Sequence, residues 1–181
     1  MAERSLKLIT SSTSIKDFKM KKRHKMYLTV EHQNLEQKFS ARNVAQADFQ
    51  SLGNLMLEAY RGTVDYDGES LEDSIKEIKG TLEGKYGALI ASASYVIEEN
   101  CICASAVIFT IDEKEKMPLL TFAMTHPAFK NRGMSKYLIR KSLNSLLDLG
   151  YRECFLVVTD GNHPAQSMYE KMGFKASKPK E

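Results

Sequence analysis

The stretch from Leu119 to Lys175 limits this chain more than any other. Leu119–Thr125 reads as a strand and passes through His126-Pro127 into Lys130-Asn131-Arg132-Gly133-Met134-Ser135. Gly133–Leu149 then reads as an amphipathic helix. Leu138, Ile139, Leu143, Leu146 and Leu147 line one side, and Lys136, Arg140, Lys141, Asn144 and Asp148 line the other. A strand that turns through glycine into such a helix is a unit of an α/β fold. It also gathers several unpaired backbone N–H groups and the positive end of the helix dipole at one point, which suits a phosphate or pyrophosphate. The chain contains neither Gly-x-x-x-x-Gly-Lys-Ser/Thr nor Gly-x-Gly-x-x-Gly, so neither the P-loop nor the dinucleotide fingerprint accounts for the turn.

Elsewhere the pattern predicts two early helices and a meander. Met26–Val30 and Leu35–Arg42 read as short strands. Asn43, with Gln46 three positions on, reads as the cap of a helix carrying Phe49, Leu52, Met56 and Ala59 through Tyr60. The loop Arg61–Glu69 is rich in turn formers. Ser70 and Asp73 open a second helix with the apolar stripe Leu71, Ile75, Ile78 and Leu82, ended by Gly84 and Gly87. Ala88–Ile97 and Cys101–Ile111 read as strands joined at Glu98-Glu99-Asn100, with Leu119–Thr125 as the third strand of the meander. Cys154–Thr159 is a further strand, and Pro164 suits the first turn of a last helix. The fold class expected is α/β, with one mixed, mostly antiparallel twisted sheet flanked by helices.

The 181 residues suffice for one domain with a substantial core. No apolar run is long enough to span a bilayer, and the N-terminus lacks a secretory apolar core, so a cytoplasmic protein without a membrane partner is expected. Residues 1–25 hold eight Lys/Arg against Glu3 and Asp17, a net +6 in a chain of net +3. We read 1–25 as a basic extension and 26–181 as the domain. The extension could meet nucleic acid, but Lys19–Lys25 has no interleaved aromatic residue, which argues against it. Cys101 and Cys103 are expected on one face of a strand and Cys154 stands alone, so buried thiols are expected rather than a disulfide or metal site.

A second motif sits in Asn162-His163-Pro164-Ala165-Gln166-Ser167-Met168-Tyr169-Glu170-Lys171-Met172-Gly173-Phe174. Together with Lys130-x-x-Gly133-x-Ser135 it resembles the GNAT superfamily of acyl-CoA-dependent N-acetyltransferases. The first motif resembles that superfamily's Gln/Arg-x-x-Gly-x-Gly/Ala pyrophosphate loop, with lysine and serine in place of the usual residues. The second resembles its Asn-x-x-Ala-x-x-x-Tyr block and the Gly-Phe that follows.

The resemblance, over roughly residues 38–177, implies a single GNAT-like domain with strands splayed at an acetyl-CoA site. It implies backbone pairing of the pantetheine arm with Met124, Thr125 and His126. The diphosphate would lie on the amides of Arg132, Gly133, Met134, Ser135, Lys136 and Tyr137, with Lys130 or Arg132 adding charge. Asn162 and Ala165 would also meet the cofactor, and the Tyr169 hydroxyl would serve the departing thiolate as a catalytic group. The activity implied is acetyl transfer from acetyl-CoA, with CoA as product, to a primary amine of a small molecule or peptide, by direct attack in a ternary complex. Candidate bases for the amine are Glu58, Asp65, Asp67, Glu69, Glu98 and His126. An acyl-CoA-binding regulatory module without turnover, or a protein that contacts nucleic acid through its basic arm, remain the alternatives, and a homodimer stays open.

Overall fold

The computed structural model describes residues 21–177. Six strands form one sheet in the order β1-β6-β5-β4-β3-β2. They are β1 (Arg23–Thr29), β2 (Ala41–Asn43), β3 (Tyr95–Glu99), β4 (Ile102–Asp112), β5 (Met117–Thr125) and β6 (Glu153–Thr159). Every neighbouring pair is antiparallel except β5 and β6, which run parallel. Helices α1 (Phe49–Tyr60) and α2 (Leu71–Leu82) cover one face, where Leu52, Leu55, Ile78 and Leu82 pack on Val96, Ile108 and Met124. On the other face α3 (Met134–Asp148) and α4 (His163–Lys171) send Leu138, Ile139, Leu143, Leu146 and Tyr169 against Leu28, Val107, Leu120 and Leu156. The expected α/β sheet flanked by helices is therefore present, and so is its splayed pair of strands, described below.

Several local expectations change. Strand β1 begins at Arg23, three residues before the expected start, because its backbone pairs with β6 all the way to Thr159. Residues 35–40 form no strand. That segment instead crosses α3, where the Tyr137 hydroxyl donates to the Phe39 carbonyl (3.2 Å) and Asn144 bonds the Gln33 backbone. Asn43 lies in β2 and donates to the carbonyls of Ala91 and Ser94, so it caps no helix. A short 3-10 turn, Gln46–Asp48, leads into α1 instead, with the Asp48 carboxylate accepting from the Ala45 amide at 2.8 Å.

Ala88–Ile97 is broken by a 3-10 turn at Ala91–Ala93. Cys101 sits in the β3–β4 turn, where Asn100 and Cys101 both take positive φ, so Cys101 is exposed and does not share a strand face with buried Cys103. The β-rich composition there marked a hairpin, but a two-residue turn that needs left-handed backbone displaced the strand start.

The expected start of α2 is confirmed. The Ser70 hydroxyl accepts from the Asp73 amide (3.1 Å), and the Asp73 carboxylate accepts from the Ser70 amide (2.9 Å). Ser70→Ala should cost about 1 kcal/mol of stability, the usual worth of such a cap. Urea unfolding checks this, and an unchanged midpoint would show that the cap adds nothing.

Candidate active site

Strands β5 and β6 pair only at Leu119–Phe155 and Leu120–Leu156. Past these residues they diverge. The edge of Thr121–Thr125 that faces β6 has no partner strand among the described residues, although its other edge pairs with β4 as far as Thr125. This exposes a row of backbone N–H and C=O groups in a V-shaped gap, the arrangement to which an extended amide chain can add. Met124 contributes only backbone there, because its side chain is fully buried against α1 and α2. Thr125 bonds Ser105 through its hydroxyl (2.9 Å). His126 accepts from the Ala128 amide through Nδ1 (3.2 Å), and its own amide bonds Ala104, so its ring braces the turn after β5.

That turn leads to the start of α3. Gly133 occupies the cap position with φ +82° and carries no side-chain cap. The first helical bond is from the Tyr137 amide to the Gly133 carbonyl (2.9 Å). The amides of Met134, Ser135 and Lys136 therefore have no helical acceptor, so the helix start is open to an anion. Beside it lies a hollow of about 540 Å³, lined by Lys38, Arg132, Lys136 and Arg140 among others, with Glu36 as its carboxylate. The Arg132 guanidinium stacks on Phe129 (4.9 Å) and reaches Glu99 at 3.4 Å, while Lys130 is exposed.

The gap opens into a cavity of about 530 Å³ that joins both faces of the sheet. One wall is Leu119–Ala123 with Leu156–Thr159, and Val157 is 45% exposed there. From α4 come Asn162, Ala165 and Tyr169, and from the opposite layer come Tyr60, Asp65 and the start of α2. Asn162 caps α4 by accepting from the Ala165 amide (3.3 Å) and donates its amide to the Asp65 carboxylate (2.7 Å). Its side chain thus ties the start of the helix to the 61–70 loop.

Tyr169 is 9% exposed and packs edge-on against Phe174. Its hydroxyl has no hydrogen-bond partner among the described residues, yet it is not among the fully enclosed orphan atoms, so it is reached from the cavity. Burial, and secondarily Asp65, raises its pKa above the ordinary phenol range. Burial, then Tyr169, does the same to Tyr60. Both phenols therefore stay protonated at neutral pH and can donate.

Of the six candidate bases, Asp65, Asp67 and Glu69 line the cavity. The other three do not: Glu58 pairs with Arg61 (3.3 Å), Glu98 with Arg42 (2.6 Å), and His126 braces its turn. Sequence reasoning missed Arg23, Tyr60, Tyr66, Asp73, Glu77 and Tyr86 as lining residues. Asp73 and Glu77, four apart on α2, carried a signal, since that spacing puts them on one helix face. Arg23 carried none, because only pairing with Thr159 brings it there.

Residues 1–20 of the basic extension lie outside the described residues. Lys21 and Lys25 are engaged within the molecule. Lys21 bonds the Asp67 carboxylate and the Tyr66 carbonyl (3.2 Å), and Lys25 bonds Glu115 at 2.5 Å. Among the described residues no group of His, Cys, Asp and Glu could hold a metal, and no helix is long and apolar enough to cross a membrane.

Residues 50–174 match the model of the acetyltransferase (GNAT) family. A ribosomal protein bS18-alanine N-acetyltransferase of Haemophilus ducreyi is 30% identical over 96 residues, which are 53% of this chain and 63% of that one. Among solved structures, a GCN5-related N-acetyltransferase from Sphaerobacter thermophilus superposes with a TM-score of 0.63 at 14% identity, over 86% of this chain and 48% of that chain. A GNAT family acetyltransferase from Brucella melitensis, in complex with acetyl-CoA, gives 0.58 at 23% identity, over 78% and 85%. This chain thus spans about half to two thirds of the length of the first two relatives.

Proposed function

The chain belongs to the GNAT family of acetyltransferases, and from that premise we propose that it transfers an acetyl group from acetyl-CoA directly to a primary amine, with no acyl-enzyme. The observation that carries the proposal is the buried Tyr169, whose hydroxyl has no hydrogen-bond partner among the described residues, at the cavity into which the gap between β5 and β6 opens. When bound, acetyl-CoA supplies a thioester carbonyl open to attack and a thiolate leaving group.

The residues fit such a molecule at each of its parts. The free edge of Met124–His126 would pair with the amides of the pantetheine arm. The amides of Gly133–Tyr137, with Lys130, Arg132 and Lys136 nearby, would hold the diphosphate. Asn162 and Ala165 line the cavity wall. The bonds to Asp65 and to the Ala165 amide use one N–H and one lone pair of the Asn162 side chain, so its second N–H and second lone pair would serve the cofactor.

In the transfer an N–C bond forms and the C–S bond breaks. The amine must arrive neutral. Asp65, held by Asn162, is the cavity carboxylate placed to take its proton, directly or through water. Tyr169 would steady the charge that develops on sulfur. A thiol has a pKa of about 8.5, and burial lifts this phenol above its usual value of about 10, so the O–H acts by hydrogen bonding rather than by releasing its proton. Cys103 and Cys154 are poor nucleophiles, since burial pushes both thiols up to about 12, in keeping with direct attack.

Saturating acetyl-CoA, at about 100 times its dissociation constant, is expected to add ~2.7 kcal/mol of apparent stability, seen as a raised melting temperature. Release of CoA thiol with an amine library then tests transfer itself. No thermal shift, or a shift without turnover on any amine, would defeat the proposal. The second of these results would favour a binding module.

A further inference from the structure

We propose that the acceptor is a small polycationic amine, held by its remaining ammonium groups on the acidic wall of the cavity while one nitrogen, neutral, reaches the Tyr169 end. This rests on the acetyl-transfer reading above and goes beyond it by naming the acceptor's chemistry. Among the described residues five carboxylates line the cavity, Asp65, Asp67, Glu69, Asp73 and Glu77, against the single lining cation Arg23. Two of the five are neutralised within the chain, Asp67 by Lys21 and Glu77 by Lys85 (2.5 Å).

Among the described residues the other three have only uncharged hydrogen-bond partners, with Lys76 near Asp73. Asp65 accepts from the Asn162 amide (2.7 Å), Glu69 from the Asp67 backbone (2.9 Å) and Asp73 from Ser70. With Arg23 counted, the wall keeps an excess of negative charge facing a partly enclosed space. Such a wall attracts and orients cations more strongly than an open surface does.

An acidic wall alone would be a solvated rim. Two further observations point to a ligand. Tyr169, nine-tenths buried, presents to the same cavity a hydroxyl with no partner among the described residues, which marks where a reacting atom would arrive. The same loop already binds a primary ammonium, because Lys21 Nζ sits on the Asp67 carboxylate and the Tyr66 carbonyl. The lining rings of Tyr60 and Tyr66 offer surface for the methylenes and cationic nitrogens of such a molecule, and the Tyr86 ring already carries the Lys85 ammonium at 5.1 Å. A peptide N-terminus has one amine and otherwise neutral backbone, and leaves these three carboxylates without a use.

The shared chemistry fits a linear triamine or a polyamino sugar, and the test separates them. Initial rates of CoA-thiol release would be compared for spermidine, an aminoglycoside, n-butylamine and a short peptide beginning with alanine. The melting shift with acetyl-CoA would be recorded in parallel. One or both polycations should exceed n-butylamine in kcat/KM by at least about tenfold, since a hydrogen bond to a charged group is worth about that much. The advantage should shrink as NaCl is raised, because screening weakens it.

Glu69→Gln, on the loop, should narrow the preference severalfold. Circular dichroism and the acetyl-CoA shift would establish that the variant is folded. Equal or better use of n-butylamine or the alanine peptide, or a preference that ignores both salt and Glu69→Gln, would overturn the inference while leaving acetyl transfer intact. If acetyl-CoA gives no shift and no amine is acetylated, the inference falls together with the reading beneath it.

Discussion

Tyr169→Phe is expected to lower kcat by tenfold to about a hundredfold, while acetyl-CoA affinity stays close to that of the parent. The substitution removes one oxygen and keeps the ring, so the edge-on contact with Phe174 and the burial of α4 against the sheet survive. No hydrogen bond within the described residues is lost, because the hydroxyl makes none. The melting temperature should therefore hold or rise slightly. What disappears is a donor aimed at charge that develops only as the C–S bond breaks. Removal of one such donor typically costs about 10²–10³ in kcat when the site excludes water. The gap between β5 and β6 is only partly closed, which argues for a loss at or below the foot of that range. A melting shift with acetyl-CoA equal to the parent's, together with slowed release of CoA thiol, would separate chemistry from binding. A folded variant with parental kcat would remove Tyr169 from the reaction.

Gly87→Ala should be the most damaging small substitution in the sheet. Gly87 has φ +97°, and an added Cβ would lie 1.8 Å from the Ile111 carbonyl oxygen, which is backbone and cannot rotate away. Holding a side chain in that conformation costs about 1–3 kcal/mol. Forcing an atom into occupied space adds about 1–3 kcal/mol more. A loss of about 2–6 kcal/mol follows, or about 2–4 °C of melting temperature for each kcal/mol in a chain of this size. The damage should reach the site as well. Gly87 follows Tyr86, a cavity-lining residue, and precedes Ala88, whose carbonyl accepts from Ile111 at the edge of β4. A variant as stable as the parent would mean that the Ala88–Ile90 segment can shift freely away from β4.

The parts of this molecule that depend on local spacing were legible in the sequence. The amphipathic period of α3, the Gly133 turn, the Ser70–Asp73 box and the strands after Cys101 follow from neighbours a few residues apart. What was hidden depends on distant partners. Asn43 looks like a cap until β3 offers strand pairing, which claims its backbone. Asn162 looks like a cofactor contact alone. The structure adds a bond to Asp65, 97 positions earlier, and so ties the Asn162 motif to the opposite wall. Asp73 reads only as a residue of the helix start, on the face that Glu77 shares. Only the approach of α2 to β5 and β6 turns that face toward an enclosed space.

Strand β1 lies outside residues 50–174, yet it zips residue by residue onto β6, from Arg23 against Thr159 to Thr29 against Glu153. On the ribosome, the segment that precedes everything else in this sheet must wait for the sheet's last strand before it can dock. Until then β1 has no mate. Such a late, long-range closure is slow, and an unmated strand edge invites pairing between nascent chains. Crowded synthesis, more than heat, is where this architecture is most exposed to misassembly.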